Sequence, residues 1–140
     1  SKISIKYAYA KFIIINFAMN GFSNPINEFT SKYKKNPYFK EVVKGILKVK
    51  RFKNLSHSSA VKKLGISCRY PGTFDSSIHA IIRSKSYKSA ILKTIRAGGC
   101  NCSRSNFIGS YFSALSGEKS IPKIWIKKCI LSKSILKIGQ

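Results

Sequence analysis

From Ile26 onward, apolar residues recur at three- and four-residue spacings between short polar breaks, the period of helices with one buried face. Between Tyr38 and Val49, Phe39, Val42, Val43, Ile46 and Leu47 form such a face. Asn36-Pro37 should end one helix and start the next, because proline fits a first helical turn and disfavours helix in the residue before it. Ser56 is placed to cap a short helix carrying Ala60, Val61 and Leu64, which Gly65 closes. Pro71-Gly72 marks a turn, Thr73 or Asp75 is a candidate cap, and Ile78, Ile81 and Ile82 should face inward on the helix that follows. Ser86 to Ala97 carries Ala90, Ile91, Thr94 and Ile95 in register and stops at Gly98-Gly99. A long helix is then predicted from Asn101 to Ser116, closed by Gly117, with Phe107, Ile108, Tyr111, Phe112 and Leu115 as apolar contacts. Gly109, Ser113 and Gly117 fall four apart, giving that helix a stripe where a neighbour can approach closely.

The first twenty residues mix β-branched and aromatic side chains without a clean period, so the pattern leaves helix and strand open there, and Gly21 to Pro25 reads as a loop. The expected organisation is a poorly specified N-terminal segment over 1–25 and an all-α domain over 26–140. No strand-and-turn rhythm and no internal repeat follows residue 26.

A length of 140 residues fits one domain or a piece of one. Because the chain begins at Ser1 and its most distinctive motifs sit near the C-terminus, a fragment is expected. The formal charge of +23 arises from 27 Lys and Arg against four acids, Glu28, Glu41, Asp75 and Glu118. Such an excess attracts polyanions without specificity. Lys far outnumbers Arg and is scattered along the chain, whereas a specific nucleic-acid surface concentrates Arg and aromatics on one element. Lys, Ile, Asn, Phe and Tyr are also the residues of A/T-rich codons, so the charge reads first as compositional, with a basic nucleic-acid-binding protein as a secondary alternative. Four cysteines, Cys68, Cys100, Cys102 and Cys129, make no dense disulfide framework, and a reduced intracellular, cytoplasmic protein is the default. The apolar run from Phe12 to Met19 falls short of the roughly 20 residues a membrane span needs.

Five pieces in order carry a family resemblance: Cys68-Arg69-Tyr70-Pro71-Gly72-Thr73-Phe74, Ile78-His79-Ala80, Ala97-Gly98-Gly99-Cys100-Asn101-Cys102-Ser103-Arg104, the pair Gly109 and Gly117, and Ile121-Pro122-Lys123-Ile124-Trp125. Together, over roughly residues 38 to 130, they resemble the C-terminal part of an ADP-ribosylglycohydrolase domain, and within that family the J-type crystallin branch. The resemblance implies an all-helical domain whose members use paired Mg²⁺ to remove ADP-ribose from a protein side chain or related acceptor. It also implies acids in an N-terminal Thr-Asp-Asp motif and in a later Gly-Gly-Asp-x-Asp motif, because Mg²⁺ takes hard oxygen ligands.

At the later motif this chain carries Cys100 and Cys102 in place of the two acids, leaving Ser103 as the matching oxygen ligand, and it has no Thr-Asp-Asp motif. Sulfur ligands are soft and favour other metals over Mg²⁺. The resemblance therefore implies a degenerate magnesium site and a protein that, if active, is an ADP-ribosyl glycohydrolase. The preferred expectation is absent hydrolase activity with ADP-ribose, or an ADP-ribosylated protein, still recognised. A crystallin-like structural protein without ligand is the alternative. Gly98 and Gly99 would bring the backbone close to phosphate or ribose, with Asn101, Arg104 and the first amides of the following helix as donors. His79 is the further ligand-facing candidate, set against a histidine satisfied by a backbone carbonyl. Cys100 and Cys102, at a helix start near Arg104, could be activated thiolates, although two small residues filling the space of acids is the simpler reading. A zinc site drawing on Cys100 and Cys102 with His79, His57, Cys68 or Cys129 is disfavoured, since structural zinc uses two closely spaced ligand pairs and this chain has one.

Overall fold

The computed structural model of the chain describes residues 1–138 apart from the side chain at 136. Helices α1 (Lys2–Met19), α2 (Pro25–Tyr33), α3 (Lys40–Arg51), α4 (His57–Leu64), α5 (Gly72–Ile82), α6 (Tyr87–Ala97) and α7 (Asn101–Ser116) follow one another through short connections. A 3₁₀ turn at Glu118–Ser120 leads into α8 (Lys123–Lys128) and α9 (Ser132–Ile138), and no strand occurs among the described residues. The all-α expectation holds.

The segment that sequence left open between helix and strand is a regular helix. Tyr7, Ala10, Ile14 and Phe17 form its buried face, while Ile5, Tyr9, Phe12 and Met19 lie exposed on the other side. Apolar residues on both faces erase the contrast from which a helical period is read. α1 packs on α2 and α7, and its side chains join the same core as the rest of the chain.

At the centre lies α5, whose residues from Gly72 to Ile81 are all buried, packed by α3, α4, α6 and α7. Both its serine hydroxyls are satisfied within the fold, Ser77 donating to the Thr73 carbonyl at 2.7 Å and Ser76 to that of Gly65 at 3.1 Å, while the buried Thr73 hydroxyl has no partner among the described residues. Phe29, Phe74 and Phe107 are fully buried, and each such ring contributes roughly 1.5–3 kcal/mol by leaving water. Along α7, Gly109 makes room for α6: a Cβ there would meet the Tyr87 hydroxyl at 3.3 Å. Tyr87 in turn meets Trp125 edge-on at 6.1 Å, which fastens α8 to the body.

Some local expectations need correction. The third helix starts at Lys40, not at Pro37, because the Asn36 side chain accepts from the amides of Tyr38 and Phe39 and holds a turn there. Neither Thr73 nor Asp75 caps α5; Pro71 takes the cap position without a side-chain hydrogen bond. Leu47, Ile82 and Ile95, expected inside, are exposed. Ile82 and Ile95 sit in last helical turns, beyond the neighbours that cover Ile78, Ile81, Ala90 and Ile91.

Candidate functional site

Gly98 and Gly99 both take positive φ, 72° and 70°, and join α6 to α7. The turn is pinned to the loop between α4 and α5 in two ways. The Cys100 amide donates to the Ile66 carbonyl at 2.8 Å, and Cys100 is joined to Cys68 by a disulfide with Cα atoms 5.4 Å apart. Cys100 is also the N-cap of α7 and gives it no side-chain hydrogen bond; the Asn101 amide donates to the Gly99 carbonyl at 2.8 Å, and the amides that follow it in the first turn have no side-chain cap. Beneath the turn Arg104 is fully buried. Its guanidinium donates to the Gly98 carbonyl and, at 2.9 Å, to the Asn101 side-chain oxygen. Burial pulls its pKa below the ordinary arginine value, yet arginine stays charged, so a cation stands directly behind the glycine turn.

The structure thus brings Gly98, Gly99, Asn101, Ser103 and Arg104 together, but it changes the part Arg104 can play. A guanidinium buried behind the turn braces the Gly98 carbonyl and sets the field; it does not reach out as a direct donor. Cys100 is not a free thiol, contrary to the expectation of four reduced cysteines. The Ser103 hydroxyl lies 3.2 Å from the Cys100 sulfur and donates to it, since a disulfide sulfur carries no proton. Cys102 and Cys129 are free and exposed. Unfolded but unreduced protein should therefore titrate two thiols, rising to four after reduction. Four reactive thiols before reduction would remove the cross-link from the picture.

These donors do not fit paired Mg²⁺. One sulfur at the acid positions is tied into a disulfide, the other is a soft, exposed thiol, and the Ser103 hydroxyl is turned toward sulfur. The single aspartate is elsewhere: Asp75, 4% exposed, lies over Gly45 of α3. Among the described residues no group of three His, Cys, Asp or Glu side chains could hold a metal ion.

His79 does not face a cleft. It is fully buried and forms a chain with His57 and Thr94. The acceptor at one end fixes the protons. The Phe52 carbonyl, 3.0 Å from His79 Nε2, requires a proton on that nitrogen, so Nδ1 of a neutral His79 accepts. His57 must then donate from its own Nδ1 across 3.1 Å, leaving its Nε2 to accept from the Thr94 hydroxyl at 3.4 Å. Both imidazoles are neutral. Burial, then the neighbouring His79 and the Arg104 charge, holds His57 down at about 4. Burial likewise lowers His79, against the hydrogen bond to Phe52.

Sequence reading missed this pair and the Cys68–Cys100 link. His57 and His79 are 22 residues apart on different helices, and no spacing rule joins them. For the cysteines a signal existed: Cys68 and Cys100 both stand at the edges of glycine-containing turns, where chain reversals bring distant loops together.

Fold and site define an all-helical protein built around a cross-linked glycine turn at the start of its longest inner helix. A family profile described as ADP-ribosylglycohydrolase matches residues 7–139, and the chain belongs to that family. It is 35% identical to crystallin J1A of Tripedalia cystophora over 88 residues, which make up 63% of this chain and 27% of that protein. Crystallin J1B of the same animal is 29% identical over the same shares. The matched part thus spans about a quarter of each relative's length. No solved structure matches the chain. Among the described residues no helix is long and apolar enough to cross a membrane.

Proposed function

We propose that this chain is an ADP-ribosylglycohydrolase-like protein that has lost magnesium-dependent hydrolysis in this form and keeps recognition of ADP-ribose at the Gly98–Gly99 turn. The observation that supports it is the turn itself. Two glycines stand at positive φ, the first turn of α7 has no side-chain cap, and Arg104 places a positive charge behind them, while cysteines stand at both acid positions of the later metal motif, one of them in a disulfide. Such a turn suits a phosphate or ribose oxygen.

Calorimetry at physiological salt, about 0.15 M, should detect ADP-ribose binding at millimolar ligand. Gly98→Ala is the informative variant, because its added methyl meets nothing within 4 Å and stands in the space the ligand would take. A loss of about tenfold or more is expected, with the circular dichroism of a folded helical protein retained. Arg104→Ala is a poorer probe, since it would undo the turn from behind. Incubation with an ADP-ribosylated protein and Mg²⁺ should release no ADP-ribose. Release that depends on Mg²⁺ would overturn the loss of activity, and no heat with ADP-ribose would overturn the binding. A silent titration would favour the second reading, a crystallin-like structural protein without ligand, which rests on the likeness to crystallins J1A and J1B.

A further inference from the structure

A cavity of about 520 Å³ opens between the start of α2, the end of α3, the end of α5 and the middle of α7. It is remote from the glycine turn: α5 begins beside the loop that carries Ile66, and the cavity lies at its other end, about 15 Å along the helix. Ile26, Ile81 and Tyr111 give it an apolar floor, and Lys50 and Lys53 stand at its rim with Asn27, whose side-chain oxygen accepts from Lys50 at 2.7 Å. Among the described residues no carboxylate lines it.

The floor also offers a hydrogen-bond donor. Tyr111 is only 5% exposed, lines the cavity, and has no hydrogen-bond partner among the described residues. Burial pushes its hydroxyl up to about 12, so it stays a protonated donor at any ordinary pH. The ring is packed, but the hydroxyl oxygen is not among the buried unpartnered atoms, so it opens to the cavity as a donor that a ligand can meet. The rim charge is also one-sided. The N-terminus of α2 adds roughly half a positive charge and the C-termini of α3 and α5 each roughly half a negative one, so two full lysine charges leave the mouth net positive.

We propose that this cavity binds a small organic oxyanion, with a phosphate or carboxylate head held by Lys50 and Lys53 at the rim and an apolar body on the isoleucine floor, within reach of the Tyr111 hydroxyl. The site is independent of the ADP-ribose reading, because it shares no residue with the glycine turn.

The test is an amide-resolved NMR titration of the whole chain, at about 0.15 M salt, with phenyl phosphate, benzoate and inorganic phosphate as separate probes. Phenyl phosphate or benzoate should saturate below about 10 mM, with shifts concentrated at Ser23, Asn27, Lys53 and Ile82, and the stronger of the two identifies the head group. Inorganic phosphate should bind at least about tenfold more weakly, lacking the body. Lys53→Ala should weaken the better probe about fivefold and Tyr111→Phe about threefold, while Lys62→Ala, an equal loss of charge on α4, should change nothing. Shifts spread over surface lysines, equal responses to Lys53→Ala and Lys62→Ala, or inorganic phosphate binding as tightly as phenyl phosphate would each overturn the assignment. The phenylalanine variant keeps the packed ring, so its response reads the hydroxyl and not the fold.

Discussion

Gly99→Ala is expected to destabilise the protein by more than about 3 kcal/mol, and Gly98→Ala, one residue away, by only about 1–2 kcal/mol. Both glycines have φ near 70°, where a side chain is strained, so the backbone term is similar at the two positions. Their surroundings are not. A Cβ at Gly98 meets nothing within 4 Å, whereas one at Gly99 would collide with the carbonyl oxygen of Ile66, with the Ile66 Cβ only 3.0 Å away. That carbonyl accepts from Cys100, and the Cys68–Cys100 disulfide ties the same two loops. The obstacle is backbone, held on both sides, and it cannot swing away as a side chain tip would. Relief requires parting the loops, which breaks the hydrogen bond and strains the cross-link together. Urea unfolding of the two variants beside the parent protein gives the measurement. Equal losses at Gly98 and Gly99 would mean that the Ile66 contact is not rigid.

The central helices were legible in this sequence partly because of its charge. With 27 cations to place on the surface, the stretches that carry none are the ones the fold can bury. No Lys or Arg stands between Arg69 and Arg83, nor between Arg104 and Lys119, and those stretches hold α5 and all of α7 beyond its first turn. The apolar spacing inside them then set the buried faces of α7 correctly and those of α5 except at its last residue, Ile82. α1 escaped because it is apolar on both faces. Periodicity reports a difference between faces, and here the difference between Ile14 inside and Phe12 outside is one of partners rather than of residue type.

At the glycine turn, the motif located the residues but not their orientation. Arg104 reads as an exposed donor from its place in the first turn of a helix, since a lone cation is normally kept in water. Two acceptors, the Gly98 carbonyl and Asn101, meet one of its nitrogens, the first presented by the turn in which Gly98 and Gly99 both adopt positive φ, while Nε and the other terminal nitrogen are buried without a partner among the described residues. The exception among the cations thus follows from backbone geometry that no side-chain pattern encodes. Lys6 with Glu41 is the ion pair among the described residues.

Asp75→Asn is expected to stabilise the protein at pH 7.5 by on the order of 2–3 kcal/mol and to leave it nearly unchanged near pH 3.5. Asp75 is buried against α3, where one carboxylate oxygen has no hydrogen-bond partner and would touch any side chain at Gly45. Burial raises its pKa from 3.8 to about 6, with Lys48 opposing. A raised carboxyl favours the fold while it is protonated. Its contribution is full below about 3.8 and is lost as the pH climbs through about 6. Asparagine resembles the protonated acid, so the benefit of the substitution should appear across that window and then level off. His57 acts in the reverse sense. Its pKa is lowered from 6.5 to about 4, so its contribution is present above 6.5 and disappears as the pH falls through about 4, and His79 adds to it in the same direction. Between about 6 and 4 the aspartate and the histidines oppose one another, and the parent protein should show a shallow response to acid. In the asparagine variant the histidines act alone, and stability should fall steadily from about pH 6.5 downward. Urea midpoints measured across pH at fixed ionic strength separate the two curves; curves that run parallel from pH 3.5 to 7.5 would show that Asp75 is not the buried acid the packing makes it.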